Sequence, residues 1–413
     1  MTQTDKGFHG LGIAPALLTT LQKIGFSHPT PIQEQSIPVA IEGKDIMGIA
    51  QTGTGKTLAF GIPLIQQLLQ NESGAGAIVV PTRELALQVN ESLAKIAMPL
   101  GIRTAVLIGG EPIYRQIRQL ERNPHIIIGT PGRIIDHLEQ KTMSLWGVSI
   151  LVLDEADRML DMGFAPQLKK IMESVPPQRQ TMLFSATMPE EIVGIAKTYL
   201  KMPVRVEIAR PGSTADHVTQ ELFFVSQDHK LTLLETLLQK YRGSVLVFSR
   251  LKFGAKKIAA HLRAVGHTAA EIHANRSLAQ RREALDGFKR GRYRILVATD
   301  IAARGIDVSN IELVLNYDLP DNPEDYVHRI GRTGRAGGSG HAISFARPNE
   351  KGDVKTIERL IRATLPVSKL PESMPESARQ TNTPDLAPTK GYRGRSSSRG
   401  SARTTPRGRS WTP

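Results

Sequence analysis

The stretch Ala50-Gln-Thr-Gly-Thr-Gly-Lys-Thr57 decides the fold. It joins a short apolar run at 45–50 to a periodic apolar segment at 57–69, so a glycine-rich turn leads from a strand into a helix. The backbone amides of such a turn can wrap a chain of phosphates, and the helix N-terminus adds a favourable partial charge. Lys56 is placed to reach the β and γ phosphates of a nucleotide, and the Thr57 hydroxyl to bind Mg²⁺. The strict phosphate-loop pattern has Gly where Ala50 stands, so the strand before and the helix after supply the confirming context.

Outward from this turn, short β-branched runs at 77–80, 104–108, 125–130, 150–154 and 181–185 alternate with helix-like segments at 82–97, 112–122 and 133–140. Near-continuous apolar strands separated by helices mean parallel βαβ units buried on both faces. That is a doubly wound α/β domain whose ligands bind at the carboxyl ends of the strands. The polar segment Ala209-Arg-Pro-Gly-Ser-Thr-Ala-Asp216 reads as a linker. The alternation then restarts, with strands at 244–248, 268–272, 294–299, 313–317 and 341–345. The expected organisation is therefore a domain at 1–208, a linker at 209–216, a second α/β domain at 217–366 and a tail at 367–413.

The tail is rich in Pro, Ser, Thr and Gly, and from Lys390 it carries one Lys and six Arg with no acidic residue. Such a composition cannot bury enough apolar surface to fold alone, so disorder is expected. It reads either as a solubilising appendage or as an arm that tracks phosphates, with Tyr392 and Trp411 available to stack on bases.

A chain of 413 residues exceeds what one core usually organises. No apolar run reaches the ~18–20 residues of a membrane span, which argues against a membrane protein. The absence of cysteine excludes disulfides and Cys-based zinc sites and suits a reducing cytoplasm. Fifty-three basic against 39 acidic residues leave a formal charge of +14, which favours a polyanionic partner such as nucleic acid.

Asp154-Glu-Ala-Asp157 follows the apolar run at 150–153. Four acidic or small residues at a helix start could serve only as a cap. In one domain with the phosphate loop, a carboxylate at a strand end is what a Mg²⁺-nucleotide requires. Asp154 would then hold the metal and Glu155 would orient or deprotonate the attacking water.

Asp154–Asp157 spells the name of the DEAD-box RNA helicases, and the chain resembles that family over roughly residues 8–347. The resemblance implies two tandem RecA-like parallel-sheet domains that bind ATP, Mg²⁺ and RNA, with Gln51, Thr52, Gly53, Thr54, Gly55, Lys56 and Thr57 around the phosphates. Gly25-Phe-Ser-His-Pro-Thr-Pro-Ile-Gln33 looks like the family's adenine-reading segment, with Phe8 the aromatic upstream of it. An amide such as that of Gln33 can donate and accept at adenine's N6 and N7 together, and Phe26 offers a face to the base. Pro81, Thr82 and Arg83, then Gly110, then Thr130, Pro131, Gly132 and Arg133 resemble RNA-backbone contacts, each following a strand. Ser185 and Thr187 resemble the segment that links hydrolysis to strand separation.

In the second domain, Ala298-Thr-Asp-Ile-Ala-Ala-Arg-Gly-Ile-Asp307 and His328-Arg-Ile-Gly-Arg-Thr-Gly-Arg335 are similar to the family's phrases. The resemblance makes Thr299, Asp300, Arg304 and Gly305 RNA-side or coupling residues and Asp307 a ribose contact. It makes Arg332 and Arg335 arginine fingers and His328 a bridge to the acidic motif. Arg281 stands where an RNA-side or coupling arginine is expected. Leu278, by contrast, occupies the position where the family often has Gln, and Ala274 follows His273 where Gly is usual. Several phrases, such as Pro323-Glu-Asp-Tyr-Val-His-Arg-Ile-Gly-Arg332, look most like the bacterial RhlE subgroup.

The expected activity is therefore an RNA-stimulated ATPase that closes on single-stranded RNA and opens short duplexes or remodels RNA–protein complexes. A slow-turnover RNA clamp and a DNA-translocating relative stand as alternatives. Ribosomal precursors, decaying messages and cold-stabilised structures are all compatible substrates, and proteins of ribosome assembly or RNA decay are compatible partners. The sequence leaves the oligomeric state open.

Overall fold

A computed structural model of the chain describes residues 7–50, 53–71, 74–208, 218–303, 311–334 and 340–375. The expected linker, Gln51, Thr52, Arg304, Gly305, Asp307, Arg335 and the basic arm beyond 375 lie outside the described residues.

Among the described residues the chain builds two parallel sheets in succession. The strands of the first are β1 (Ile46–Ile49), β2 (Ala75–Val79), β3 (Thr104–Leu107), β4 (Ile126–Gly129), β5 (Val148–Asp154), β6 (Gln180–Ser185) and β7 (Val204–Glu207), in the order β3-β4-β2-β5-β6-β1-β7. Helices cover both faces, which is why its central strands are mostly apolar and buried along nearly their whole length. In β5, Ile150 and Val152 join the cluster under the helix Lys56–Gln70, while Leu151 and Leu153 join the cluster on the opposite face. That alternation is the period of two expected of a strand. Gly48 of β1 is there for space: a Cβ would lie 2.5 Å from the ring of Phe184, which packs at 5.6 Å from Phe60.

Register sets the site. Ile49 pairs with Ser185, and Asp154 with Phe184, so the carboxyl ends of β5, β6 and β1 stand side by side and level. The phosphate loop, the acidic motif and Ser185-Ala-Thr187 leave from those three ends.

The second sheet contains β8 (Val218–Phe224), β9 (Val245–Phe248), β10 (Ala269–Ile272), β11 (Ile295–Ala298), β12 (Leu313–Asn316) and β13 (Gly340–Ala346), in the order β10-β11-β9-β12-β13-β8. Both sheets are thus the expected parallel α/β kind, and the boundaries of the expected strands hold to within a residue or two. No helix among the described residues is long and apolar enough to cross a membrane.

Two edge strands, β7 and β8, were not expected from the sequence, nor was the helix Pro15–Lys23. The tail needs a correction as well. Residues 367–375 do not begin a disordered segment: Leu222 donates to Pro366 and accepts from Ser368, so this stretch covers the open edge of β8. Leu370 and Met374 are then buried in the core of the second domain. A chain ended after residue 366 should melt about 5–10 °C below one ended after residue 375, since each lost side chain forfeits ~1.5–3 kcal/mol of burial. Calorimetry of the two truncations checks this, and equal midpoints would mean the segment is not part of the fold.

Candidate functional site

Gly53 and Gly55 take φ of 88° and 94°, the left-handed region in which a side chain is strained. Gly55 is closed to a Cβ on other grounds too, because the Gln33 amide nitrogen and the Thr30 hydroxyl occupy that space. Gln33 Nε2 donates to the Gly55 carbonyl at 2.9 Å, and Gln33 Oε1 accepts from Thr30 N at 2.9 Å. The residue expected to read adenine is therefore also the brace of the phosphate loop. An amide carries two N–H donors and two lone pairs, so one of each remains for a base. Phe26 is exposed while Phe8 is buried in the core, and both line a pocket of about 230 Å³ together with Leu18, Leu21 and Gln22. Phe26 is the ring that has a face free for a base.

Lys56 is 5% exposed and its Nζ finds no hydrogen-bond partner among the described residues; Asp154 Oδ1 lies 3.8 Å away. A buried ammonium without acceptors is costly, and an anion in the loop would supply them.

The three acids of the motif sit in three different environments. Asp154 is pushed up to about 6, mainly by burial, with Lys56 pulling the other way. Burial acts on Glu155 in the same sense, but Arg158, Lys56 and Arg332 together hold its carboxyl below the ordinary range. Arg158 donates to Glu155 Oε2 at 2.8 Å, both side chains being buried. Glu155 itself takes a φ of 55°, which turns the chain abruptly from β5 into the following helix. Asp157 is bound by the next strand end: its Oδ2 accepts from Ala186 N at 3.0 Å, Thr187 N at 2.8 Å and Thr187 Oγ1 at 2.9 Å, and its own N–H donates to Ser185 Oγ at 3.2 Å. The Ser185 and Thr187 hydroxyls thus bond to the acidic motif, and Asp157 is where they meet it.

The second domain brings cations to the same place. Arg332 is 2% exposed, and its field reaches Glu155. His328 is held well below its ordinary value by burial and by Arg158 and Arg332, so it stands there as a neutral imidazole. Arg329 is buried and clasps Asp300 with two nitrogens at 2.5 and 2.7 Å while also donating to Asn316 and to the Asp318 carbonyl. Both Asp300 oxygens are thus engaged inside the domain. Thr299 opens the turn that carries Asp300, its carbonyl accepting from Ala302 and Ala303.

On the opposite rim, Thr82 caps the helix Arg83–Ala97 by accepting from Leu85 N at 3.2 Å, directly after Pro81. The Arg83 guanidinium lies over Gly109 and Gly110, where a Cβ would collide with it. Thr130 and Pro131 start the helix Pro131–Glu139, nothing stands within 4 Å of a Cβ built on Gly132, and Arg133 donates to the Glu111 carbonyl at 3.1 Å. This rim offers amides and two arginines to a backbone of phosphates. Arg281 of the second domain does not join it freely: its guanidinium donates to Glu84 Oε2 at 2.8 Å in a buried cross-domain pair. Arg282 meets Glu111 at 2.9 Å beside it.

Sequence reasoning missed Glu84, Arg158 and Arg329. Arg158 had a signal, lying one helical turn after Glu155. Glu84 and Arg329 had none, since their partners are distant in sequence.

The family model described as DEAD/DEAH box helicase matches residues 30–195, and the model described as Helicase conserved C-terminal domain matches residues 229–337. The chain is 45% identical over 354 residues to the DEAD-box ATP-dependent RNA helicase CshA of Bacillus cereus, covering 85% of this chain and 67% of that protein. It is 43% identical over 369 residues to the ATP-dependent rRNA helicase RRP3 of Debaryomyces hansenii, covering 89% and 77%. The solved structure of S. cerevisiae Dbp5 bound to RNA and ADP BeF3 superposes with a TM-score of 0.80 at 30% identity, covering 88% of this chain and 95% of that one.

Two outcomes are expected of this geometry. Gln33→Ala should weaken ATP binding about tenfold, since a lost buried hydrogen bond costs ~1–3 kcal/mol, and should shrink the preference for ATP over GTP. Titration with both nucleotides checks it, and unchanged discrimination would remove Gln33 from base reading. Because Asp154 is neutral below pH about 6 while Glu155 stays charged, affinity for Mg²⁺-nucleotide should fall as pH drops through that value. Binding isotherms between pH 5 and 8 measure this, and a flat profile would exclude Asp154 as a ligand of the metal.

Proposed function

The chain belongs to the DEAD-box family of ATP-dependent RNA helicases, and from that membership we propose that it closes on ATP and single-stranded RNA to open short duplexes or remodel RNA–protein complexes. The observation that carries the reading is the convergence on Glu155 of Lys56 and Arg158 from the first domain and Arg332 from the second. An arginine delivered across a cleft stabilises transition-state charge only while the cleft is closed.

In this mechanism Lys56 and the loop amides hold the phosphates, and Gln33 and Phe26 hold the adenine. Among the described residues no group of three or more His, Cys, Asp or Glu could hold a metal by itself. Oxygen donors such as Thr57 and Asp154 suit Mg²⁺, which takes its other ligands from phosphates and water and neutralises their charge. Glu155, kept ionised, orients the attacking water or takes its proton. Neutral His328 can donate one hydrogen bond and accept another at the seam without adding charge. Asp157 transmits the state of the site to Thr187 through its carboxylate. The family resemblance assigns Gln51 and Thr52 to the loop, Arg304 and Gly305 to the RNA side, Asp307 to the ribose and Arg335 to the γ-phosphate.

Supporting the RNA side are the rim of Pro81, Thr82, Arg83, Gly110 and Thr130–Arg133 and the excess of basic residues. The sequence supports a hinge within the polar segment 209–216, which lies outside the described residues. Placement in the RhlE subgroup rests on the phrases of the sequence, whereas the relatives above carry the names CshA and RRP3.

Glu155→Gln should cut RNA-stimulated ATP turnover about 100-fold or more while sparing ATP and RNA binding, since it removes the base and keeps Asp154. Turnover above a tenth of wild type would overturn the role. In the same assay, equal stimulation of the wild type by single-stranded DNA would overturn the RNA preference.

A further inference from the structure

The helix Leu278–Lys289 has two apolar faces with different allegiances. Ala284, Leu285 and Phe288 pack with Ile272 and Leu296 in the second domain's own core. Leu278 is 7% exposed and belongs instead to a cluster otherwise made of first-domain side chains, Leu85 and Ile108 among them. Leu278, Arg281 and Arg282 stand at i, i+3 and i+4, so they share one face of the helix. All three meet the first domain: Leu278 in that cluster, Arg281 on Glu84 and Arg282 on Glu111.

Leu278 is also where the chain departs from the Gln that its family often carries. No neighbouring amide replaces that Gln. Gln280 is spent on the helix cap, where its Oε1 accepts from Ser277 N at 3.0 Å and its N–H donates to the Ser277 hydroxyl. A glutamine in this seam must find hydrogen-bond partners whenever the domains close, or leave its amide unsatisfied. A leucine needs only to leave water, and its contribution is not screened by salt.

We propose that Leu278 is a positioning residue for domain closure: it supplies an apolar contact across the seam that raises the share of closed chains before RNA binds. A ligand that needs the closed form binds more tightly in proportion to that share. The effect therefore belongs in the RNA concentration for half-maximal ATPase stimulation, and the rate at saturation should hardly move. This inference rests on the helicase reading above.

The test compares Leu278→Gln and Leu278→Met with wild type in full-length protein. Leu278→Gln should raise the half-saturating RNA concentration about tenfold, the low end of what exposing a leucine side chain costs, with saturated turnover within about twofold. Leu278→Met, which keeps the apolar bulk, should lie within about twofold of wild type in both. The chain has no cysteine, so Lys169→Cys with Lys289→Cys gives a specific dye pair across the seam. Addition of a non-hydrolysable ATP analogue without RNA should shift the dye distance less in Leu278→Gln than in wild type. An unchanged half-saturating concentration and dye response in Leu278→Gln, or a loss confined to saturated turnover, would overturn the proposal. Wild-type turnover indifferent to RNA would sink the helicase reading, and the dye pair would still decide the contact.

Discussion

A carboxylate taken out of water must be given donors in its place, and the working parts of this chain are arranged around that constraint. Asp154, Glu155 and Asp157 are each less than 5% exposed at one end of one sheet. They cannot all be satisfied by the same means. Among the described residues Asp154 has a distant lysine and a single backbone N–H, that of Glu155, and its affinity for protons rises. Glu155 has Arg158 and stays ionised. Asp157 takes three hydrogen bonds from the adjacent strand end and becomes structural. One tetrapeptide thereby yields a carboxyl that holds its proton more readily, a carboxylate kept ionised and a carboxylate tied to the next strand end, separated by environment alone.

The same constraint ties the two domains. Glu84 is buried against Arg281, and each retains one atom without a hydrogen-bond partner, Glu84 Oε1 and Arg281 Nε. Desolvation of such a pair nearly cancels its attraction, so the contact contributes little net stability although losing one partner is costly. For a seam that must open on every cycle this is useful, because a near break-even contact fixes the register of closure without locking it. Arg329 shows the contrasting case: with Asp300, Asn316 and Asp318 all satisfied, it holds its own domain rigid.

Legibility followed periodicity and chain proximity. The central strands were readable because both faces are buried and each carries an apolar run, Ile150–Leu153 in β5 and Met182–Phe184 in β6 among them. β7 was not, since Val204–Glu207 is an edge strand that exposes Arg205 and Glu207. Residues 367–375 looked like tail because their composition is polar, and two apolar side chains, Leu370 and Met374, are enough when an open strand edge awaits the backbone. The phosphate loop and the acidic motif were visible as contiguous phrases, each at a strand end. Gln33 was expected to read a base, whereas its grip on Gly55 depends on a contact across 22 residues that no spacing rule encodes.

Pairs such as Glu84 with Arg281, 197 residues apart, exist only once two domains are folded and brought together. Motif phrases can name the members of such a pair without saying that they meet. The structure adds that they meet: a guanidinium engaged by Glu84 has fewer donors left, so any phosphate that Arg281 contacts would share the group with the seam. The helix that carries it is loyal to its own core through Leu285 and Phe288 and reaches across the seam through Leu278, Arg281 and Arg282. Closure is then a property of one helix face, whose polar members fix where the domains meet and whose apolar member influences how often they do.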